Sequence, residues 1–418
     1  MSERNWAGNV VYRARTLHRP ASVAELQELV AGAARIRVLG SRHSFNEIAD
    51  CDELVSLERL SADVRVDRAS ATASCGAGVT YGEFSRALEA HGLALANLGS
   101  LPHISVAGSV ATATHGSGDR RGNLATSVAG LELVTSAGEL VALRRGDADF
   151  DGCVVALGAL GAVTRVTLDV EPAYRVSQSV YEGLPWRALA ERFDEVSAAG
   201  DSVSVFTHWG EDAGQLWVKR RLDDGADGLP APPELFGARA ATRQLHPIPG
   251  ADPRACTPQL GAPGPWHERL PHFRLEFTPS AGEELQSEYL LPRAHAAAAI
   301  EALRPLEPAL RPLLHVSEIR TVAADELWMS PQYRRNTVAI HFTWRRDQEG
   351  VERVLGGLES ALAPFAPRPH WGKLFLTSPE ALAGAYERLH DFASLLARVD
   401  PRGAFRNDWL ERRVLAAA

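Results

Sequence analysis

The chain has 418 residues, 45% of them hydrophobic, which is too long for one ordinary hydrophobic core and apolar enough to build two domains. Its 44 basic and 52 acidic residues give a formal net charge of −8, which gives no electrostatic reason to expect a nucleic acid or an anionic membrane as partner. A small polar or neutral ligand fits this charge better, and we expect no nucleic-acid or membrane partner.

The sequence shows neither a targeting pattern nor a metal-binding pattern. The sequence has no run of about 18 apolar residues, and Met1 to Gly8 do not have the pattern of an export signal, so we expect a cytoplasmic protein. The four cysteines lie far apart, with no CxxC pair and no closely spaced His/Cys set, so we predict neither a metal site nor a disulfide framework: Cys51, Cys75, Cys153 and Cys256.

Strand and helix patterns alternate through the first hundred residues. The capping-box pattern at Ser22 to Glu25 predicts a helix that runs to about Gly32. A strand is predicted at residues 36–39, followed by the loop Gly40-Ser41-Arg42-His43-Ser44. Further predicted elements are strands at 53–57 and 72–75 and a helix capped by Thr80. The alternation is typical of an α+β or α/β domain.

Residues 98–118 are mostly small, 13 of the 21 being Gly, Ala, Ser or Thr, and they include Thr114-His115-Gly116. Such a run lets the backbone lie against a cofactor and offer it N–H and hydroxyl donors, although tight helix packing or a flexible loop is an alternative for any short part of it. Beyond it we predict a hairpin at 131–134 and 140–143, and a Gly-rich turn at 157–164 that leads into a strand at 166–170.

The second half mixes strands, helices and longer loops. The Pro/Gly-rich stretch 222–264 is interpreted as loops within a domain, and an Ala-rich helix is predicted at 295–303. Three apolar segments carry polar residues two apart: Glu318-Ile319-Arg320, His341-Phe342-Thr343 and, just before an apolar run, Trp371-Gly372-Lys373. Because such residues face the same side of a strand, Glu318 pairs with Arg320, His341 with Thr343 and, in a further segment, Gln286 with Glu288. If these strands are neighbours, one sheet face carries polar groups that are costly to bury without a polar ligand.

Several motifs in this order resemble the FAD domain of the vanillyl-alcohol-oxidase superfamily. They are a strand followed by Gly-Ser-x-His-Ser, the small-residue run ending in Thr114-His115-Gly116, and Gly-x-x-Gly-x-Val-Thr at 158–164. His370-Trp371-Gly372-Lys373 and the segment 400–407 resemble the aldonolactone-oxidase and sugar-alcohol-oxidase branch. Four further segments are similar to the alditol oxidases within that branch: 5–9, 43–49, 264–273 and 318–321.

The resemblance implies an α+β fold: a two-subdomain FAD-binding domain at 1–170, completed by 375–418, and a sheet-based cap domain at 171–374. It implies an FAD-dependent oxidase with the flavin bound covalently to His43. The positions that match flavin contacts are Gly40, Ser41, Arg42, His43, Ser44, Phe45, Ser100, Ser105, Gly108, Thr112, Ala113, Thr114, His115 and Val163. The missing GxGxxG motif does not count against FAD, because this is not a Rossmann fold.

The same resemblance implies oxidation of C1 of an alditol such as xylitol or sorbitol, with dioxygen as the electron acceptor, hydrogen peroxide as a product and a monomeric enzyme. The positions that match polyol contacts are Ser100, Gln286, Glu318, Arg320, Thr343 and Lys373, of which Arg320, Lys373 and Glu318 are the catalytic candidates. Gly99 matches a position that gates oxygen. An intrasheet salt bridge between Glu318 and Arg320 and a solvated Lys373 are the structural alternatives.

Two points stay open at the level of sequence. Arg42 stands where the family usually has glycine. A positive φ at this position would strain the arginine backbone. The alternative is that its guanidinium reaches the pyrophosphate. The function alternatives are an aldonolactone oxidase, a flavin-storage protein without catalysis, and an NAD(P)H-dependent reductase of the same superfamily.

Overall fold

The computed structural model describes residues 3–222, 231–277 and 283–418. Near the N-terminus, three short strands form a parallel sheet in the order β1-β3-β2: β1 Thr16–His18, β2 Arg37–Leu39 and β3 Glu53–Ser56. Helix α1, Val23–Gly32, connects β1 to β2, and the Ser22 hydroxyl accepts from Glu25 N. The predicted capping box is only half formed, because the Glu25 carboxylate accepts from Ala21 N instead.

A second sheet is antiparallel and has five strands in the order β4-β5-β9-β7-β8. Their bounds are β4 Val64–Asp67, β5 Thr72–Gly76, β7 Val128–Val134, β8 Leu140–Arg144 and β9 Ala162–Asp169. The predicted hairpin is confirmed as β7 and β8. Helix α2, Tyr81–Ala90, follows β5 and begins at a complete capping box between Thr80 and Glu83.

The largest sheet in the described residues has ten strands and is antiparallel throughout. Its order is β14-β15-β11-β13-β12-β18-β19-β17-β20, with β16 also paired to β11. The strands are β11 Arg175–Glu182, β12 Ser202–Thr207, β13 Gln215–Leu222, β14 Glu234–Leu235, β15 Ala238–Ala240, β16 Gly264–Pro265, β17 Glu284–Pro292, β18 Leu314–Val322, β19 Thr337–Arg345 and β20 Arg368–Pro369. A separate pair consists of β6 Leu93–Ala94 and β10 Glu171–Pro172.

The predicted neighbourhood of the three polar strands is confirmed, because β19 lies between β18 and β17. Glu318 and Glu288 both stand opposite His341, and Gln286 stands opposite Thr343. The alternate positions, such as Ile319 and Ile340, belong to the main hydrophobic core, together with buried residues of the helices Ala296–Leu303 and Gln348–Leu362. One face of the sheet is therefore packed, and the other carries the polar groups.

The remaining helices and the C-terminal segment complete the fold. The helices are α3 Val106–Ala111, α4 Phe150–Val154, α5 Trp186–Ser197, α6 Ala296–Leu303, α7 Glu307–Leu310, α8 Gln348–Leu362, α9 Pro379–Ala385, α10 Leu389–Val399 and α11 Asp408–Leu410. The predicted Ala-rich helix is α6. In the stretch 222–264, the described part contains the short strands β14 and β15 between loops, while residues 223–230 lie outside the described ranges.

The chain returns to its N-terminal part after the large sheet. Ile36 N donates to Ala404 O at 2.8 Å, and the Asn407 side-chain amide donates to the carbonyls of Glu47, Ile48 and Asp50. These contacts support the division into 1–170 with 375–418, and 171–374, which we retain as a proposal.

Within the described ranges, no helix is long and apolar enough to cross a membrane. The same part of the chain holds no group of three or more His, Cys, Asp or Glu side chains placed to bind a metal ion.

Candidate active site

The polar face of the large sheet borders a cleft of about 1500 Å³, its open mouth included. All six predicted polyol-contacting residues line it: Ser100, Gln286, Glu318, Arg320, Thr343 and Lys373. Most of the predicted flavin-contacting residues line it too, from Gly40 to Phe45 in the loop after β2 and from Ser105 to His115 around α3. Of that set, Ala113 and Val163 are not among the lining residues; Val163 borders a separate small cavity behind α3.

A buried carboxylate, Glu288, is the centre of the polar network. Its Oε1 accepts from Arg320 Nη2 at 2.6 Å, and its Oε2 accepts from Lys373 Nζ at 2.6 Å. His115 Nε2 lies 3.3 Å from Oε1. Burial would raise the pKa of Glu288, but the charges of Lys373, His115 and Arg320 outweigh burial and hold its pKa well below the usual value. Glu288 is therefore ionised and binds both cations of the face.

Glu318 is a weaker partner of Arg320 than the sequence suggests. Its Oε2 lies 3.5 Å from Arg320 Nε, whereas its Oε1 lies 2.9 Å from His272 Nε2. Burial would raise the pKa of Glu318, and Arg320 and His272 overcome this and lower it. Glu318 is therefore a carboxylate that accepts hydrogen bonds, and the geometry assigns the orientation of Arg320 mainly to Glu288.

Lys373 does not lie in a strand. It follows β20 in a turn, and its amine, besides contacting Glu288, lies 2.9 Å from His341 Nδ1. His341 Nε2 is in turn 3.1 Å from Thr343 Oγ1. Burial lowers the pKa of Lys373, and burial together with the charge of Lys373 lowers the pKa of His341 well below its usual value. A neutral His341 accepts from Lys373 and donates to Thr343.

The sequence interpretation missed Glu288, His272 and His370 as site residues. The sequence indicates for Glu288 only that it faces the same side of a strand as Gln286. His370 lines the same cleft, and its Nδ1 accepts from Gly372 N at 3.1 Å, which fixes the turn that carries Lys373. His272 lies in the segment 264–273, in which no local pattern indicates a contact with Glu318.

His43 lines the same cleft and is half-buried. Its ring stacks on Trp6 with centroids 5.1 Å apart, and Nδ1 lies 3.0 Å from Ser41 O. Nε2 is buried and has no hydrogen-bond partner among the residues that the structure describes. Burial lowers the pKa of His43 to about 4, so the ring is neutral near pH 7 and keeps a nitrogen lone pair.

The backbone of Arg42 is left-handed, with φ of 64°, which is the conformation in which a residue with a Cβ is strained. Its guanidinium forms an ion pair with Glu3 at 2.8 Å. Arg42 also lines the cleft, and a contact between its guanidinium and the pyrophosphate of FAD stays a prediction.

Small residues shape the wall between His43 and α3. A Cβ on Gly40 would lie 2.8 Å from Ser105 Oγ, and a Cβ on Gly108 would lie 2.7 Å from the same atom. Within the described part of the chain, Ser105 Oγ is buried and lacks a hydrogen-bond partner, and Ser105 N donates to Ser41 Oγ at 3.1 Å. This wall of small residues carries two buried polar atoms without partners among the described residues, Ser105 Oγ and His43 Nε2. It fits FAD, whose phosphate and ring groups need such donors and acceptors.

Comparisons with known proteins agree with this geometry. Residues 14–144 match the family model described as FAD binding domain, and residues 283–413 match that of D-arabinono-1,4-lactone oxidase. Alditol oxidase from Streptomyces sp. is 52% identical over 411 residues, covering 97% of each chain. L-gulono-1,4-lactone dehydrogenase from Mycobacterium tuberculosis is 29% identical and covers 98% of each chain.

The crystal structure of cholesterol oxidase from B. sterolicum superposes with a TM-score of 0.80 at 16% identity, over 99% of this chain and 96% of that one, and this likeness concerns the fold alone. The fold is accordingly that of the vanillyl-alcohol-oxidase type, and the molecule is an FAD-dependent oxidoreductase. Within that class, the chain belongs to the alditol oxidase family, in the sugar lactone oxidase branch. The family resemblance seen in the sequence is thereby confirmed.

Proposed function

We propose that this enzyme oxidises the C1 hydroxyl of alditols such as xylitol and sorbitol to the aldose, and reduces dioxygen to hydrogen peroxide. The observation that carries the proposal is the joint placement of Ser100, Gln286, Glu318, Arg320, Thr343 and Lys373 around one cleft. The side chains of this wall supply both hydrogen-bond donors and acceptors. The 52% identity with an alditol oxidase supports the same substrate class.

Burial makes this wall selective for a polyol. Gln286, Glu318, Arg320 and Thr343 are each at most 8% exposed, so a ligand that leaves any of them unpaired loses about 1 to 3 kcal/mol per group. A row of vicinal hydroxyls can satisfy these groups in turn.

FAD, when bound, supplies the acceptor for the hydride of the alcohol carbon and the means of passing the electrons to dioxygen. The residues that would hold it are those of the loop after β2 and of the α3 region, with His43 as the proposed covalent attachment point. Ser105 Oγ and the neutral His43 ring are the polar groups left free for it.

The roles of the polar residues follow from their charges. Arg320 and Lys373 are held by Glu288, and we assign them to binding the hydroxyls at C1 and C2, where a positive charge favours loss of the hydroxyl proton. Glu318 is ionised and accepts a hydroxyl hydrogen bond. Ser100 Oγ, 3.4 Å from Arg320 Nη1, adds a further hydroxyl contact.

An aldonolactone oxidase is the second candidate, because residues 283–413 match the D-arabinono-1,4-lactone oxidase model. A lactone ring has fewer free hydroxyls than an open-chain polyol, so it would leave more of this buried wall unpaired. We therefore favour the alditol.

The test is anaerobic addition of xylitol, sorbitol and gulonolactone, each in turn, to the purified flavoprotein while flavin absorbance is followed. We expect bleaching by the alditols at far lower concentration than by the lactone, and peroxide once air is admitted. Bleaching by gulonolactone alone would favour the second candidate, bleaching by NADPH alone would indicate a reductase, and no bleaching would leave a binding protein.

A further inference from the structure

The chain contains only two lysines among its 44 basic residues, and both lie beside the polar face. Lys373 belongs to the site described above. Lys219 lies on β13, two strands away from β18, is 1% exposed and has no part in the proposed chemistry. Arginine cannot lose its proton in a protein, whereas a buried lysine can, so the two positions that keep lysine are suited to proton transfer.

The Lys219 amine contacts two carbonyl groups and one ring. It donates to Leu270 O, and Pro271 O and His272 Nδ1 each lie 3.2 Å away. These three partners are consecutive residues of the segment 264–273, which the sequence analysis singled out and the proposed function did not use. The segment therefore brings a histidine between the amine and the site.

His272 bridges Lys219 and Glu318 with its two ring nitrogens. Nδ1 faces the amine, and Nε2 lies 2.9 Å from Glu318 Oε1. The edges of Phe206 and Trp217 hold the ring, with centroids 5.1 Å and 5.4 Å from it. When Lys219 is protonated it donates to Nδ1, so Nε2 carries the ring proton and donates to Glu318. A continuous chain of hydrogen bonds thus leads from Glu318 to Lys219.

We propose that Lys219, acting through His272 and Glu318, receives the proton that the substrate hydroxyl loses. This inference rests on the proposed function, and it names the proton acceptor for that reaction. His272 is one of the residues that line the cleft, whereas Lys219 is not. Both act on the substrate through Glu318, and we regard them as positioning residues of a relay.

The proposed transfer conserves atoms, protons and electrons. The alcohol loses a hydride, with its electron pair, from carbon to the oxidised flavin, and a proton from oxygen to the Glu318 carboxylate. The carboxylic acid gives this proton to Nε2 of His272, Nδ1 gives its own proton to the neutral Lys219 amine, and the ring changes tautomer. Glu318 ends as a carboxylate, His272 as a neutral ring and Lys219 as an ammonium, and the carbon–oxygen bond becomes a carbonyl.

The charges around the relay set its pH range. Burial lowers the pKa of Lys219 to about 7, while Glu318 and the Cys256 thiol act to raise it and Arg320 acts to lower it. Burial and the charge of Lys219 lower the pKa of His272 to about 4, with Glu318 opposing and Arg320 reinforcing the shift. Glu318 also faces His341. Above about pH 7 the amine is neutral and able to accept, so flavin reduction should accelerate as pH rises through this value.

The kinetic test compares the anaerobic flavin-reduction rate at saturating xylitol from pH 5.5 to 9 in wild type, Lys219→Met and His272→Gln. The amide of the His272→Gln variant keeps an N–H donor for Glu318 but cannot change tautomer. In wild type we expect the rate to rise about tenfold per pH unit below the pKa and then to level off. Both variants should lose this step and be at least tenfold slower at pH 8, with unchanged flavin content.

A second readout does not depend on turnover. In protein labelled with 13Cε-lysine and free of lysine in any tag, only two lysine signals are expected, and Lys219→Met identifies one of them. That signal should titrate near pH 7 in wild type. It should titrate in His272→Gln as well, although the flavin-reduction rate of that variant no longer rises with pH.

Three outcomes overturn the proposal. If the Lys219 amine stays protonated through pH 9, or if the pH-dependent rise in flavin-reduction rate persists in both variants, the relay is excluded. The alditol reaction stands in either case. If no polyol reduces the wild-type flavin, the proposed function fails and the relay fails with it, even though the NMR titration of Lys219 remains measurable.

Discussion

Glu288 Oε2 lies 2.6 Å from Lys373 Nζ, and this contact joins strand β17 to a turn 85 residues further along the chain. The other carboxylate oxygen holds Arg320 at the same distance. One buried anion thus positions both cations that we assign to the substrate hydroxyls. Neither cation has to be ordered by the substrate itself, which is how a preorganised site reduces the cost of reaching the transition state.

The first prediction concerns this shared anion. Glu288→Gln preserves the shape of the side chain but removes the carboxylate bonded to Lys373 and one of the two carboxylates beside Arg320. Removing one partner of a buried ion pair typically costs about 3 to 5 kcal/mol. We expect anaerobic flavin reduction by xylitol to slow by about a hundredfold or more, since each 1.36 kcal/mol is about tenfold in rate. Stopped-flow absorbance measures the rate, and flavin content should be unchanged.

A matched control lies on the opposite side of the same strand. Glu359 accepts from the Tyr289 hydroxyl at 2.6 Å, so Glu359→Gln also removes a carboxylate that is bonded to β17, but on the packed face. It should affect the free energy of unfolding and leave the reduction rate within about twofold of wild type. Equal losses of rate in the two variants would mean that strand packing, and not the charge of Glu288, controls the rate.

The second prediction separates the two cations. Arg320→Ala and Lys373→Ala should each lower the flavin-reduction rate by roughly a hundredfold, if each contributes about 3 kcal/mol at the transition state. Arg320→Lys restores the charge but not the planar fork, and it should recover only part of the rate. Near-normal reduction in both alanine variants would remove these residues from the mechanism.

The third prediction is the covalent bond to His43. Acid-precipitated wild-type protein should stay yellow and carry the mass of FAD, whereas His43→Ala should release the flavin into the supernatant. His103 supplies the control, because it lies close enough to act electrostatically on His43, and His103→Ala should keep the colour in the pellet. A colourless wild-type pellet would contradict the bond but not FAD binding.

The fourth prediction concerns the strained backbone at Arg42. Arg42→Ala and Arg42→Gly both remove the guanidinium and its ion pair with Glu3, so the two variants differ in backbone freedom at φ of 64°. Arg42→Gly should be more stable than Arg42→Ala by about 1 kcal/mol, because a Cβ is unfavourable in the left-handed region. Urea unfolding measures the difference. If the alanine variant proved the more stable, strain at this residue would be excluded.

The sequence was sufficient for the parts of the site that depend on local geometry. Strand alternation places Glu318 with Arg320 and His341 with Thr343 whatever the rest of the fold does, and a capping box marks the start of α2. These features need only a few consecutive residues, so the sequence analysis found them.

The residues that the sequence analysis missed are connected through tertiary packing. Lys373 reaches Glu288 because Leu374 N donates to Gln286 O at 2.8 Å and Asn46 holds the carbonyl of Lys373, contacts that link distant segments. His272 reaches Glu318 through a loop whose path no periodicity describes. Arg42 was expected to reach the flavin or to be strained; the backbone is indeed left-handed, but its partner Glu3 lies in an N-terminal segment with no recognisable pattern.

The last prediction concerns oxygen access at Gly99, beside the substrate-facing Ser100. A Cβ built on Gly99 would lie 3.7 Å from Thr114 Cγ2, 3.8 Å from His115 O and 3.9 Å from Ile104 Cδ1, which are ordinary van der Waals distances. Gly99→Ala should therefore fold normally and place a methyl group against the small-residue wall. The larger Gly99→Val adds two methyl groups in a space already bounded on three sides. If dioxygen reaches the flavin along this wall, reoxidation should slow progressively from wild type to the alanine and then the valine variant, while anaerobic reduction by xylitol stays within a few fold of wild type. Stopped-flow mixing of the reduced enzyme with oxygenated buffer measures the first rate, and mixing of the oxidised enzyme with xylitol measures the second. A Gly99→Val enzyme that is slow in reduction but normal in reoxidation would show that Gly99 makes room for the substrate instead of for oxygen.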